Sequence, residues 1–110
     1  MTPKPKSKAE AEKNLNEKFL RVQVLEDAMQ CITKDRQATH GKPENNFANI
    51  ANLWNAYLNM QLTTHDVAMM MVLLKAARFK GNPTYIDNCV DMAGYAALAV
   101  ELAVANTGVA

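Results

Sequence analysis

The sequence predicts an all-α domain, four helices packed as a bundle, and three observations lead there. Apolar residues recur at spacings of three and four along most of the chain. No segment alternates apolar and polar residues as a half-buried strand must. The helical stretches are parted by short breaks, Gly41 with Pro43 and Gly81 with Asn82 and Pro83. Such breaks leave room only for tight connections between neighbouring helices, most simply an antiparallel bundle.

Each element follows from its residues. The opening MTPKPKSK, residues 1–8, is basic, holds two prolines and has nothing to bury, so it is expected to be flexible and to precede a single domain over 9–110. From about Ala9 a long amphipathic helix carries Leu15, Phe19, Val22, Leu25, Met29 and Ile32 as one stripe. It should end near Thr39, where Gly41 can take the left-handed conformation and Pro43 can open the next helix. That second helix runs to about Leu58, with Phe47, Ile50, Trp54 and Tyr57 on one face and several asparagines, poor helix formers, on the other.

Thr63 with Asp66 three residues on reads as a capping box, and it introduces VAMMMVLLKAARF. Apolar residues run nearly all the way round this third helix, so it is expected to be the central, most buried one. Asn82 and Pro83, or Thr84 with Asp87, start a fourth helix that reaches about Ala105 on a stripe of Ile86, Val90, Ala93, Ala97, Val100 and Val104. Its alanines around Gly94 would let another helix approach closely. A small bundle with seven methionines and a small-residue helix is expected to bury a further face against a second copy of itself.

Length and composition exclude several functions. The chain has 110 residues, 49% of them apolar, enough for one core and too few for two. Lys and Arg number 12 against 11 Asp and Glu, a formal charge of +1. No global field therefore draws the chain to DNA, RNA or an anionic membrane, and recognition of phosphate must be local. Cys31 and Cys89 lack CxxC or His-spaced partners and read as reduced packing residues. The N-terminus has no apolar signal core, and the longest apolar run, Val67 to Leu74, is far too short for a span. The expectation is a cytoplasmic protein without a membrane partner. There is no GxSxG, Walker loop or HExxH, and a basic recognition helix for DNA is missing.

Two polar clusters interrupt the apolar surfaces. On helices three and four, Lys75 and Arg78 stand three apart and Asp87 and Asp91 four apart, with Asn88 and Tyr95 adjacent. Lys75 or Arg78 can pair with Asp87 or Asp91 to fix the helix register. Alternatively the two carboxylates can hold magnesium while the basic residues face a substrate phosphate. The second cluster is DRQATHGKPENN, with Arg36, Thr39, His40, Lys42, Glu44, Asn45 and Asn46. Backbone N–H groups at the start of helix two, with Arg36, His40 and Lys42, could hold an anion, and the asparagines could read a base or ribose. The plainer reading is a polar turn in which Asn and Glu cap the helix. His65 reads as a surface residue.

Taken in order, RQATHG, ENNFANIANLW, DVAMMMVLLKAARF and DNCVDMAGYAAL, spanning about Asp35 to Leu102, resemble a family of small uncharacterised phage and prophage proteins. In outline the chain is similar to a nucleotide-modification-associated group of phages and, more distantly, to the all-α MazG-like nucleoside triphosphate pyrophosphohydrolases. That resemblance implies nucleotides, oligomers and a bacterial host cell. MazG-like enzymes hold magnesium with an EExxE motif and a later acidic pair. Asp87 and Asp91 match the later pair, while Lys75 and Arg78 stand where glutamates belong. A cationic lining without a full metal site suits holding a phosphorylated ligand more than hydrolysing it.

The leading expectation is thus a non-catalytic phage protein that holds a nucleotide-like ligand through Arg36, His40, Lys42, Asn46, Lys75, Arg78 and Tyr95, without a cofactor. Sequestering a host immune signalling nucleotide would be its purpose. The alternatives are a magnesium-dependent pyrophosphohydrolase using Asp87 and Asp91, with Glu44 or Asp66 as candidate helpers, and a structural or adaptor helical protein.

Overall fold

A computed structural model describes residues 7–35 and 41–108, with side chains for all of these except 10–18, 34 and 35. The expectations for residues 1–6, Arg36, Thr39 and His40 fall outside this range. The described residues form four α-helices and no strand: α1 (Lys8–Gln30), α2 (Pro43–Leu58), α3 (Thr64–Gly81) and α4 (Ile86–Thr107). One π-helical turn, Cys31–Asp35, continues α1.

The boundaries have local causes. Gly41 has φ +76°, the left-handed conformation expected of it, and Pro43 opens α2, where its missing N–H costs nothing. Asn59 closes α2 with φ 54°, a conformation that a short polar side chain tolerates. Asn55 explains one of the asparagines. Its amide donates to the Leu62 carbonyl (3.0 Å) and accepts from the Leu62 N–H (2.6 Å), clasping the α2–α3 link as a strand partner would. At the start of α3 both halves of the capping box are made: the Asp66 N–H donates to the Thr63 hydroxyl (3.1 Å), and the Thr63 N–H donates to the Asp66 carboxylate (2.9 Å). The helix α4 begins at Ile86, later than the sequence suggests, and no side chain caps it.

A turn over residues 82–85 joins α3 to α4, and at the far end Asn106 donates to the Thr64 hydroxyl (2.9 Å). The pair is therefore an antiparallel hairpin tied at both ends. Phe47 and Ala51 of α2, Val67 and Ala68 of α3, and Leu98, Ala99 and Leu102 of α4 form the core, with Ile32, Ile50, Trp54 and Tyr95 against it. Gly94 lets α1 come close, since a Cβ there would stand 3.1 Å from Cγ2 of Ile32.

Four expectations about burial are corrected. The helix α4 is the central one, because it contributes six buried residues against two from α3, whose Met69, Leu73 and Leu74 face outward. Its inward stripe is Asn88, Val90, Gly94, Leu98, Ala99 and Leu102, rotated from the predicted one, of which Ile86, Ala97 and Val100 are exposed. Among the described side chains of α1, which leave out Leu15, the buried residue is Ala28, while Phe19, Val22, Leu25 and Met29 are exposed. Tyr57 is exposed too, although Phe47 is buried and Ile50 and Trp54 are half-buried as expected.

By length and composition α4 is the one described helix able to cross a membrane. The stripe it gives to the core accounts for part of its apolar character, Ile86 and Val100 lie exposed, and Asp87, Asp91 and Glu101 interrupt it.

Candidate functional site

Heptad-like spacing along α4 places Asn88, Asp91, Tyr95, Leu98 and Leu102 on one stripe. Toward the C-terminus this stripe is the apolar core. Toward the N-terminus it turns polar. There Nζ of Lys75, reaching across from α3, meets a carboxylate oxygen of Asp91 at 2.9 Å, with the two side chains 16% and 26% exposed. Of the pairings the sequence allows, this is the one formed. Arg78 and Asp87 are exposed, each one helical turn beyond the pair.

Asn88 is 6% exposed, the one buried polar side chain among the described residues. Its backbone N–H donates to the Tyr85 carbonyl (3.3 Å), but its side-chain amide makes no hydrogen bond to the described residues. Burying an amide unpaired is costly, and such groups are rare in folded proteins. A shallow cleft of about 40 Å³ opens one turn further on, lined by Cys31, Ile32, Val90, Asp91, Gly94, Tyr95 and Leu98. That is room for a few water-sized groups, far below the several hundred Å³ of a pocket that swallows a whole ligand. The close approach at Gly94 builds one wall, and the π turn of α1 supplies Cys31 and Ile32.

Tyr95 also meets α2 next to the described part of the second cluster. Its ring stands edge-on to Phe47, centroids 6.2 Å apart at 88°, an arrangement favoured by the ring quadrupoles. Phe47 follows Asn46, which is half-buried, and Lys42 is exposed one turn earlier with its carbonyl accepting from the Asn46 N–H (3.1 Å). The structure thus ties the start of α2 to the polar end of α4. Glu44 is exposed in the first turn of α2, and Asp66 is occupied by the capping box. Among the described residues no three of His, Cys, Asp and Glu stand where they could share a metal ion. One oxygen of Asp91 is bound to the Lys75 ammonium, so a cation taken by the other would sit beside a like charge. His65 is half-buried, with Nδ1 3.4 Å from the Asn106 amide.

The Thr63 N–H, and after it the Thr63 hydroxyl, hold the Asp66 carboxyl below the usual carboxylate range. This is capping chemistry and lies apart from the cleft. Sequence reasoning named Asn88 only as a neighbour of the acidic pair. Its signal was present, a polar residue in register with Leu98 and Leu102, but the register could be read only once the inward face of α4 was known.

The domain of unknown function DUF6378 matches residues 23–103 of the chain. The Gene 55 protein of Mycobacterium phage D29 is 42% identical over 73 residues, covering 66% of this chain and 48% of the phage protein. The Gene 55 protein of Mycobacterium phage L5 is 43% identical over 74 residues, covering 66% and 47%. The chain spans about half the length of these curated relatives. No solved structure matches it.

Proposed function

We propose that this chain, which belongs to the DUF6378 family, is a non-catalytic binding protein that holds a nucleotide-like phosphorylated ligand at the polar end of α4, in the cytoplasm of a phage-infected cell. The observation that carries the reading is Asn88, buried without a side-chain partner among the described residues, one turn from the Lys75–Asp91 pair. A protein built only for stability would place an apolar residue there, as it does at Leu98 and Leu102.

The chemistry divides by charge. The carboxylate of Asp91, oriented by the Lys75 ammonium, and the Asn88 amide suit the hydroxyl and amino groups of a ribose or base. Exposed Arg78 and Lys42 suit phosphate oxygens, for which charge-assisted bonds are strong. The cleft receives a small polar edge of the ligand while the rest lies on the surface. Arg36, His40, Asn46 and Tyr95 remain part of the proposed contact set. Hydrolysis is the weaker reading because Asp91 is already held by an ammonium, so Asp87 and Asp91 are not poised to take a magnesium ion together.

Native mass spectrometry with ATP, other nucleoside triphosphates and cyclic nucleotides, with and without magnesium, tests this. The expected result is retention of an intact nucleotide by the wild type and its loss in Arg78→Ala. Failure to retain any of them at millimolar concentration would overturn the proposal, and conversion to monophosphate would replace it with the enzyme reading. Retention of a cyclic signalling nucleotide above the others would support sequestration.

A further inference from the structure

Independently of any ligand, we infer that the outward face of α1 pairs with the same face of a second copy of this chain. Val22, Leu25 and Met29 form an a/d-type seam on this helix, and Leu25 and Met29 are 62% and 54% exposed. Phe19, also exposed, flanks the seam. The chain's own core is reached instead by Ala28, which lies to one side of the seam and is buried. So α1 has two faces, one packed within the chain and one apolar and uncovered.

Charge and the self-complementary seam say what covers it. Arg21 and Glu26, both exposed, occupy the two positions bordering the seam. A second α1 in parallel register sets Arg21 of each copy opposite Glu26 of the other, five residues on, twice by symmetry. The face left uncovered is the seam itself and its flank, since Phe19, Val22, Leu25 and Met29 are 48%, 42%, 62% and 54% exposed, and a facing copy of the same seam removes all of them from water.

Sedimentation equilibrium of the full chain decides the matter. Wild type should have at least twice the chain mass at 50 µM, and Leu25→Glu with Met29→Glu should have the mass of one chain. Because those substitutions alter helix packing, a milder pair completes the test. Arg21→Glu should weaken association about tenfold, and adding Glu26→Arg should restore it. A wild type that is monomeric at 50 µM would overturn the inference. So would an unchanged mass in the Leu25→Glu, Met29→Glu variant, or an association that Arg21→Glu leaves intact or that Glu26→Arg fails to restore.

Discussion

The two ends of a single stripe on α4 are built differently. From Leu98 to Leu102 it presents apolar side chains to Phe47, Ala51, Val67 and Ala68, and nothing polar intrudes. From Asn88 to Asp91 it presents an amide without a side-chain partner among the described residues and a carboxylate held by Lys75. Apolar burial contributes free energy in proportion to area, whereas a half-buried ion pair roughly offsets its own desolvation and an unpaired amide costs. Leu98 and Leu102 therefore stabilise the fold, and Asn88 and Asp91 are tolerated by it. That difference locates the candidate site, since departures from local consistency gather where function requires them.

Substitutions that probe each half should separate accordingly. The largest effect belongs to the apolar half: Phe47→Ala should lose about 3–5 kcal/mol in urea unfolding, and a loss under about 1 kcal/mol would dissolve the contrast. At the junction, Gly94→Val should cost roughly 1–3 kcal/mol by pushing against Ile32 and narrowing the cleft wall. A wild-type melting temperature in that variant would show that α1 does not pack as described. Away from both halves, Asn55→Ala unfastens the Leu62 clasp and should cost about 1–2 kcal/mol, with ligand retention unchanged.

The smallest effect is that of acid on the α3 cap. A carboxyl whose pKa is lowered by folding adds stability above its unfolded value and loses it as pH falls through the folded one. The contribution of Asp66 should therefore be present at neutral pH and fade only below the ordinary carboxylate range. Because this side chain is only partly buried and solvent screens it, the change should be a few tenths of a kcal/mol. Comparing wild type with Asp66→Asn by thermal unfolding across that range measures it, and an Asp66 contribution that grew on acidification would contradict the sign.

Much of the fold was legible in the sequence. Pro43 and the Thr63–Asp66 box fix boundaries through backbone chemistry that requires those residue types wherever they fold. Which face turns inward was less legible. Helix α3 is apolar nearly all round, and α4 offers alanines on several sides, so periodicity could not choose between Val100 and Leu98. The stripe on α1 was read correctly as apolar, but sequence does not distinguish a face that meets its own chain from one left outward. At the site, spacing brought Lys75, Arg78, Asp87 and Asp91 to facing helices, yet only the packing selected the Lys75–Asp91 pair. Asn88 stayed inconspicuous because its weight comes from burial, which no motif encodes.

The central claim, that the polar end of α4 is kept for a ligand and not for the fold, is tested most directly by urea unfolding of Asn88→Leu beside the wild type. Equal stability or a gain of up to about 1 kcal/mol is expected, since an amide without a side-chain partner among the described residues is exchanged for an apolar group of similar size. A loss of more than about 1 kcal/mol would contradict it and make Asn88 a structural residue.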